Sequence, residues 1–128
     1  MASLSASIRN ALIDHLTGTA TYTPPTFYVA LYTGDPAVAG VEVTTPGTNG
    51  YSRQSPGLGA ASNGLASNVA DVVFGPVDTA NWGNVTHVAT FDAASGGTLL
   101  WADPVTEWVM PIGATYTIST GKYRVRIS

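Results

Sequence analysis

WGNVTHVATFDAASGGTLLWADP, Trp82 to Pro104, decides how this chain is read. Its first half alternates: Val85, His87, Ala89 and Phe91 fall on one side of an extended strand, Thr86, Val88 and Thr90 on the other. ASGG supplies turn residues and TLLWADP returns, so the stretch predicts a β-hairpin with a loop longer than two residues. The same stretch gathers His87, Asp92, Asp103, several hydroxyls and two tryptophans, which raises the question of a catalytic site. Acid–base or covalent chemistry needs a nucleophile beside a base, or two carboxylates with separated pKa values, and no such spacing is present. His87 sits mid-strand, Asp92 meets the turn, and Trp82 and Trp101 cover the ends of a small core. No catalytic residue is assigned, and the chain is expected not to be an enzyme.

The neighbouring segments repeat this pattern. TFYVALYT, residues 26–33, alternates Phe27, Val29 and Leu31 against Tyr28, Ala30 and Tyr32 and ends in TGDP. Residues 34–50 are rich in Gly, Pro, Thr and Asn and read as a long surface loop with a short extended piece at 41–43. YSRQSPGLG reads as a strand broken by Pro56, VADVVFGPV as another, and GATYTIST with GKYRVRIS as a closing hairpin turning near Gly121. Lys122, Arg124 and Arg126 then put outward charges on a last strand.

One helix is expected, over 3–17. Leu4, Ile8, Leu12 and Leu16 recur every four residues with Ala11 beside them, Ser3 serves as the cap and Gly18 as the stop. So short a helix must pack its stripe on something, either its own sheet or another subunit. With about seven or eight strands behind it, the fold class is mainly β: an antiparallel sandwich or barrel in a single domain, 1–128.

The totals narrow the function. The chain has 128 residues, no cysteine and a net charge of −3. Charged residues are 10% of it, against about 25% in an ordinary soluble domain. Spread over roughly 6,400 Å², that is one charge per about 500 Å². Such a surface is covered by neighbouring subunits at small desolvation cost. Five basic residues make no cationic face for nucleic acid. No stretch reaches the length of a membrane span, and Arg9, Asp14 and His15 interrupt any signal-peptide core.

Metal and cofactor sites are not expected. His15 and His87 belong to different elements, and Asp35, Asp78, Asp92 and Asp103 each read as a lone loop aspartate. No G-x-G-x-x-G opens a helix, and the sequon Asn84-Val85-Thr86 is a chance match. Tyr22, Tyr32, Tyr51 and Trp108 read as exposed aromatics, able to stack on sugars or to serve as core or subunit contacts.

ALIDHLTGTATYTPPTFYVALYTGDPAVAG, then GYSRQ, then WGNVTHVATFDAASGGTLLW, resemble a family of small bacteriophage virion proteins labelled phage tail fibre protein. The likeness runs over almost the whole chain and departs after Trp101. It implies a structural virion protein, made in the host cytoplasm, that binds itself and another phage protein. A trimer is the expected assembly, and the major capsid protein or a tail protein the expected partner. A fibre shaft calls for repeats or a long coiled coil, so capsid decoration is the expected role, with a tail fibre or adaptor the alternative. A carbohydrate-binding receptor module is the alternative of another class. Leu4, Ile8, Leu12 and Leu16 with Val41 and Val43 are the expected partner contacts.

Overall fold

The computed structural model describes residues 3–126. Nine strands and one helix follow in the order β1 (Ser3–Leu4), α1 (Ala6–Leu16), β2 (Tyr28–Thr33), β3 (Val41–Glu42), β4 (Leu65–Ser67), β5 (Val72–Phe74), β6 (Gly83–Phe91), β7 (Leu99–Met110), β8 (Tyr116–Ile118) and β9 (Arg124–Arg126). The predicted hairpin is the centre of the fold. β6 and β7 pair antiparallel within a five-stranded sheet ordered β1-β7-β6-β2-β3. The fold is mainly β, all pairings are antiparallel, and the sheets do not close into a barrel.

Register sets the two faces. Val29, Thr90, Trp101 and Leu4 lie across from one another in successive strands, as do Leu31, Val88 and Asp103 in the next row. Because side chains alternate, Ala30, Ala89 and Ala102 point to the other face. Val85 faces Trp108 while His87 faces Pro104, so three residues of β7 oppose one of β6. Val85 and Val88, three residues apart on either side of this irregularity, both lie in the core.

The closing hairpin of the sequence reading is not formed. β8 pairs with β5, and β9 with β4, in two separate two-stranded ladders. Asn68 is the physical reason. Its side chain donates to Ala70 O, Ile118 O and Ser119 O and accepts from Tyr123 N, while its backbone bonds Tyr123 O and Gly121 N. The 62–74 segment therefore lies against 116–126 as one ribbon, interrupted where Asn68 meets the 119–123 turn. Arg124 and Arg126 point outward on β9, as expected.

Two further corrections concern local elements. The helix starts after Ser5, whose hydroxyl accepts from Ile8 N at 3.4 Å, and not after Ser3. Ser3 and Leu4 are laddered to Ala102 and Trp101, so Leu4 belongs to a strand rather than to the helical stripe. YSRQSPGLG forms no regular strand: Gln54 bridges Val29, Leu58 bridges Asn68, and Pro56 between them interrupts pairing. Gly18 ends the helix in the left-handed region at φ +77°. Tyr22 N then donates to His15 Nδ1, tying the Thr- and Pro-rich connection back to α1.

One core joins sheet, ribbon and helix. Val29, Leu31, Val85 and Val88 from the sheet meet Val72 and Phe74 from the ribbon and Ile8 from α1. Each such side chain contributes about 1.5–3 kcal/mol on full burial. Phe74 is sealed by Tyr51, stacked at 6.2 Å, and by the edge of Tyr116 at 6.4 Å.

Candidate functional site

Three places concentrate polar chemistry. The first is the stretch that opened the sequence analysis. Thr86 Oγ1 accepts from Gly34 N at 2.7 Å and lies within hydrogen-bonding distance of His87 Nδ1, at 2.9 Å. Asp92 Oδ1 accepts from Thr98 N at 2.7 Å and fixes the hairpin turn. Asp103, expected in a loop, stands inside β7 opposite Val88. Since His87 is opposite Pro104, the alternation puts His87 and Asp103 on opposite faces of the sheet. Burial pushes the Asp103 carboxyl above its ordinary value. His87 and Asp103 therefore do not form an acid–base pair with each other. Among the described residues, no three His, Asp or Glu side chains come together to hold a metal.

The remaining polar groups of this stretch act locally. Asn84 of the sequon donates to Glu107, Trp82 Nε1 donates to Asn49 O at 3.1 Å, and Trp101 Nε1 to the Tyr123 hydroxyl at 2.8 Å. Tyr123 also meets Thr90, in a pocket whose dryness pushes its phenol well above the usual range. Each indole has found its acceptor inside the fold.

The second place was missed by the sequence reading. Arg53 is buried, and its Nε and Nη2 grip the two oxygens of Glu42 at 2.9 Å each. Its Nη1 donates to Ala93 O and Gly96 O at 2.8 Å, and the guanidinium lies 4.2 Å from the centre of the Phe91 ring. Tyr51 donates its hydroxyl to the same Glu42 carboxylate at 2.5 Å and accepts from Leu31 N at 3.1 Å. Burial works against the Arg53 cation, and the Glu42 carboxylate outweighs it, holding the guanidinium above its ordinary value. Burial, then the bond to Glu42, pushes the Tyr51 phenol far up. One signal in the sequence pointed here: Arg53 is the single basic residue between Arg9 and Lys122.

This cluster joins the 34–50 loop, the GYSRQ segment and the 92–98 turn. All three guanidinium nitrogens donate, with four of the roughly five N–H groups an arginine carries going to Glu42, Ala93 O and Gly96 O, so the arrangement clamps these segments together. It also corrects the sequence reading of Tyr51 as exposed: that ring is 1% accessible, packed on Phe74 and Trp82. Tyr32 is half-buried with its ring 5.7 Å from Phe91, and Tyr22 is half-buried beside the helix. Of the four aromatics, Trp108 alone is mostly exposed, at 57%.

The third place is a groove between β7 and β8, where Trp108 stands with Thr106, Tyr116 and Thr117. The expected partner contacts are scattered. Ile8 is buried in the core, and Leu4, Leu12 and Val43 pack against it. Leu16, at 85%, and Val41 are exposed, as are Ile13 and Val38, which the sequence reading did not single out. No described helix is long and apolar enough to cross a membrane.

A family model described as Podophage GP4 fiber I protein gp80 matches residues 3–126. No curated protein matches the chain.

Proposed function

Because the chain belongs to the podophage GP4 fiber I protein family, we propose that this phage virion structural protein is a non-enzymatic subunit of a tail fibre, joined to copies of itself and to a second virion protein. The observation that carries the non-enzymatic reading is the Arg53–Glu42–Tyr51 clamp. This cluster of ionisable groups turns inward, with the Tyr51 hydroxyl and all three guanidinium nitrogens bonded to carboxylate and carbonyl oxygens.

Assembly is supported by what remains outside. Ile13 and Leu16 on α1, with Val38 and Val41 on the 34–50 loop, leave apolar side chains in water on a surface with few charges. Contact between subunits removes them at about 25 cal/mol per Å². A trimer is the stoichiometry we propose. The family description supports a fibre location, while the absence of repeats in the sequence suits a short module rather than a shaft.

Locating and counting the protein in purified particles tests the reading. A small, fixed number of copies at the tail supports the fibre subunit. Hundreds of copies on the head make it a capsid decoration protein instead, and absence from particles overturns both.

A further inference from the structure

Two Asn-Gly pairs occur in the chain, Asn49-Gly50 and Asn63-Gly64. With no side chain on the glycine to screen it, the glycine nitrogen of such a pair is open to attack the asparagine side-chain carbonyl carbon. The two pairs are chemically alike, and the fold treats them oppositely.

Asn49 is locked. Its Oδ1 accepts from Thr79 N at 2.6 Å, Ala80 N at 3.0 Å and Thr79 Oγ1 at 3.2 Å, while its Nδ2 donates to Ala80 O at 2.6 Å. Its main-chain carbonyl accepts from Trp82 Nε1 and Asp78 N. A Cβ on Gly50 would lie 2.1 Å from Pro76 O, so the backbone itself is pressed against a neighbour. The Asn49 side chain turns onto Gly50 N only by giving up four hydrogen bonds.

Asn63 is not held in this way. Asn63 and Gly64 are exposed at the centre of a turn closed by Ser62 N to Leu65 O at 2.8 Å and Leu65 N to Ser62 O at 3.0 Å. Their φ values, +53° and +73°, are those of the mirror-image hairpin turn that Asn-Gly favours. Neither the Asn63 amide nor Gly64 N has a hydrogen-bond partner among the described residues. The turn leads into β4, whose ladder with β9 is three residue pairs long, so its opening is a local event.

We propose that Asn63 is a site of spontaneous deamidation, where the side-chain amide gives way in water to aspartate and isoaspartate, and that the fold shields Asn49 from the same reaction. Gly64 N loses its proton and bonds Asn63 Cγ. The Cγ–Nδ2 bond breaks, and the nitrogen leaves with that proton as ammonia. Water then opens the cyclic imide at Cγ, giving isoaspartate or aspartate according to which of the two carbonyl carbons it attacks. Aspartate suits the turn, since it tolerates the left-handed region. Isoaspartate adds a main-chain carbon to the turn and pulls β4 out of step with Arg124–Arg126.

The test holds the purified protein in mildly alkaline buffer and maps the products by peptide mass spectrometry and by isoaspartate-specific enzymatic methylation. Conversion at Asn63 should outpace that at Asn49 by about tenfold or more, because Asn49 must first break bonds that Asn63 lacks. It should accelerate as pH rises and disappear from this turn in Asn63→Gly, a residue that fits the same φ. In urea the two sites should convert alike. The inference is overturned if Asn49 converts as fast as Asn63 in the folded protein, or if Asn49 still lags as far behind in urea. It is also overturned if Asn63 stays an amide while a short peptide of sequence SNGLA converts in the same buffer. None of these readings depends on where in the particle the protein sits.

Discussion

Arg53 holds Glu42 through two parallel hydrogen bonds, Nε to Oε2 and Nη2 to Oε1, both 2.9 Å long. The pair spans eleven residues of sequence and fastens the 34–50 loop to the 92–98 turn through the guanidinium's other two bonds. Removing one member leaves a buried charge alone. Arg53→Met should therefore cost about 3–5 kcal/mol, and Glu42→Leu should cost a similar amount. The double variant Arg53→Met/Glu42→Leu should recover much of that loss, since neither charge remains to be solvated. Urea midpoints for the four proteins check this; additive losses in the double variant would show that the charges do not act as a pair.

Tyr51 and Tyr123 make stability depend on alkaline pH. Both phenols are raised in the folded protein, by burial first. An unfolded tyrosine ionises near pH 10, so above that the unfolded chain holds fewer protons than the folded one. The stabilisation is fully present below pH 10 and is lost as pH rises from there towards the folded values. The slope should approach about 1.4 kcal/mol per pH unit for each residue. Tyr51→Phe should flatten it while lowering neutral stability by about 1–3 kcal/mol, because Leu31 N loses its acceptor and Glu42 loses the phenol donor while keeping Arg53. Thermal melts between pH 8 and 11 measure both effects, taken as about that window.

Asn68 is the second buried polar hinge. Asn68→Ala would remove the donor that three carbonyls share, Ser119 O keeping only its bond from Lys122 N, and would take the acceptor from the Tyr123 N–H at the point where the two ribbon ladders meet. A loss of about 3 kcal/mol or more is expected. Asn68→Asp should be no better, since it keeps the acceptor for Tyr123 N but repels the carbonyls. Recovery of wild-type stability in Asn68→Asp would show that the donor side of the amide contributes little.

Period-two patterning was enough to place β2, β6 and the turn at Asp92, because β-branched and aromatic residues alternate there and the chain changes direction at residues with turn chemistry, although both strands bury successive residues on both faces. The 41–43 extension was legible for the same reason, and Val41–Glu42 pairs with β2. The ribbon was not legible. Residues 116–118 and 124–126 alternate like any hairpin, and nothing local says that Asn68, about fifty residues earlier, supplies the bonds that separate them. Tyr51 failed similarly: a tyrosine in a polar run looks exposed until Glu42 and Leu31 N are found to satisfy its hydroxyl. Long-range polar pairing carries no periodicity, so a single sequence does not display it.

The helix separates folding from assembly. Leu4 is laddered beside Trp101 and Ile8 is buried among core residues, so deleting residues 2–17 removes part of the domain itself. That truncation should not fold, and Ile8→Ala alone should cost about 2–5 kcal/mol. Leu16 is different. It stands 85% exposed as the last residue of α1, one turn beyond Ile13, and contributes almost nothing to the core. Leu16→Asp should change stability by no more than about 0.5 kcal/mol. If the exposed end of α1 is a subunit contact, the same substitution puts a charge into an apolar interface and should shift sedimentation from oligomer to monomer. Ile13→Asp should do likewise, and Leu16→Met should preserve the oligomer. Should Leu16→Asp and Ile13→Asp both sediment as wild type, the contact lies elsewhere, and the paired variant Val38→Asp/Val41→Asp then asks the same question of the loop.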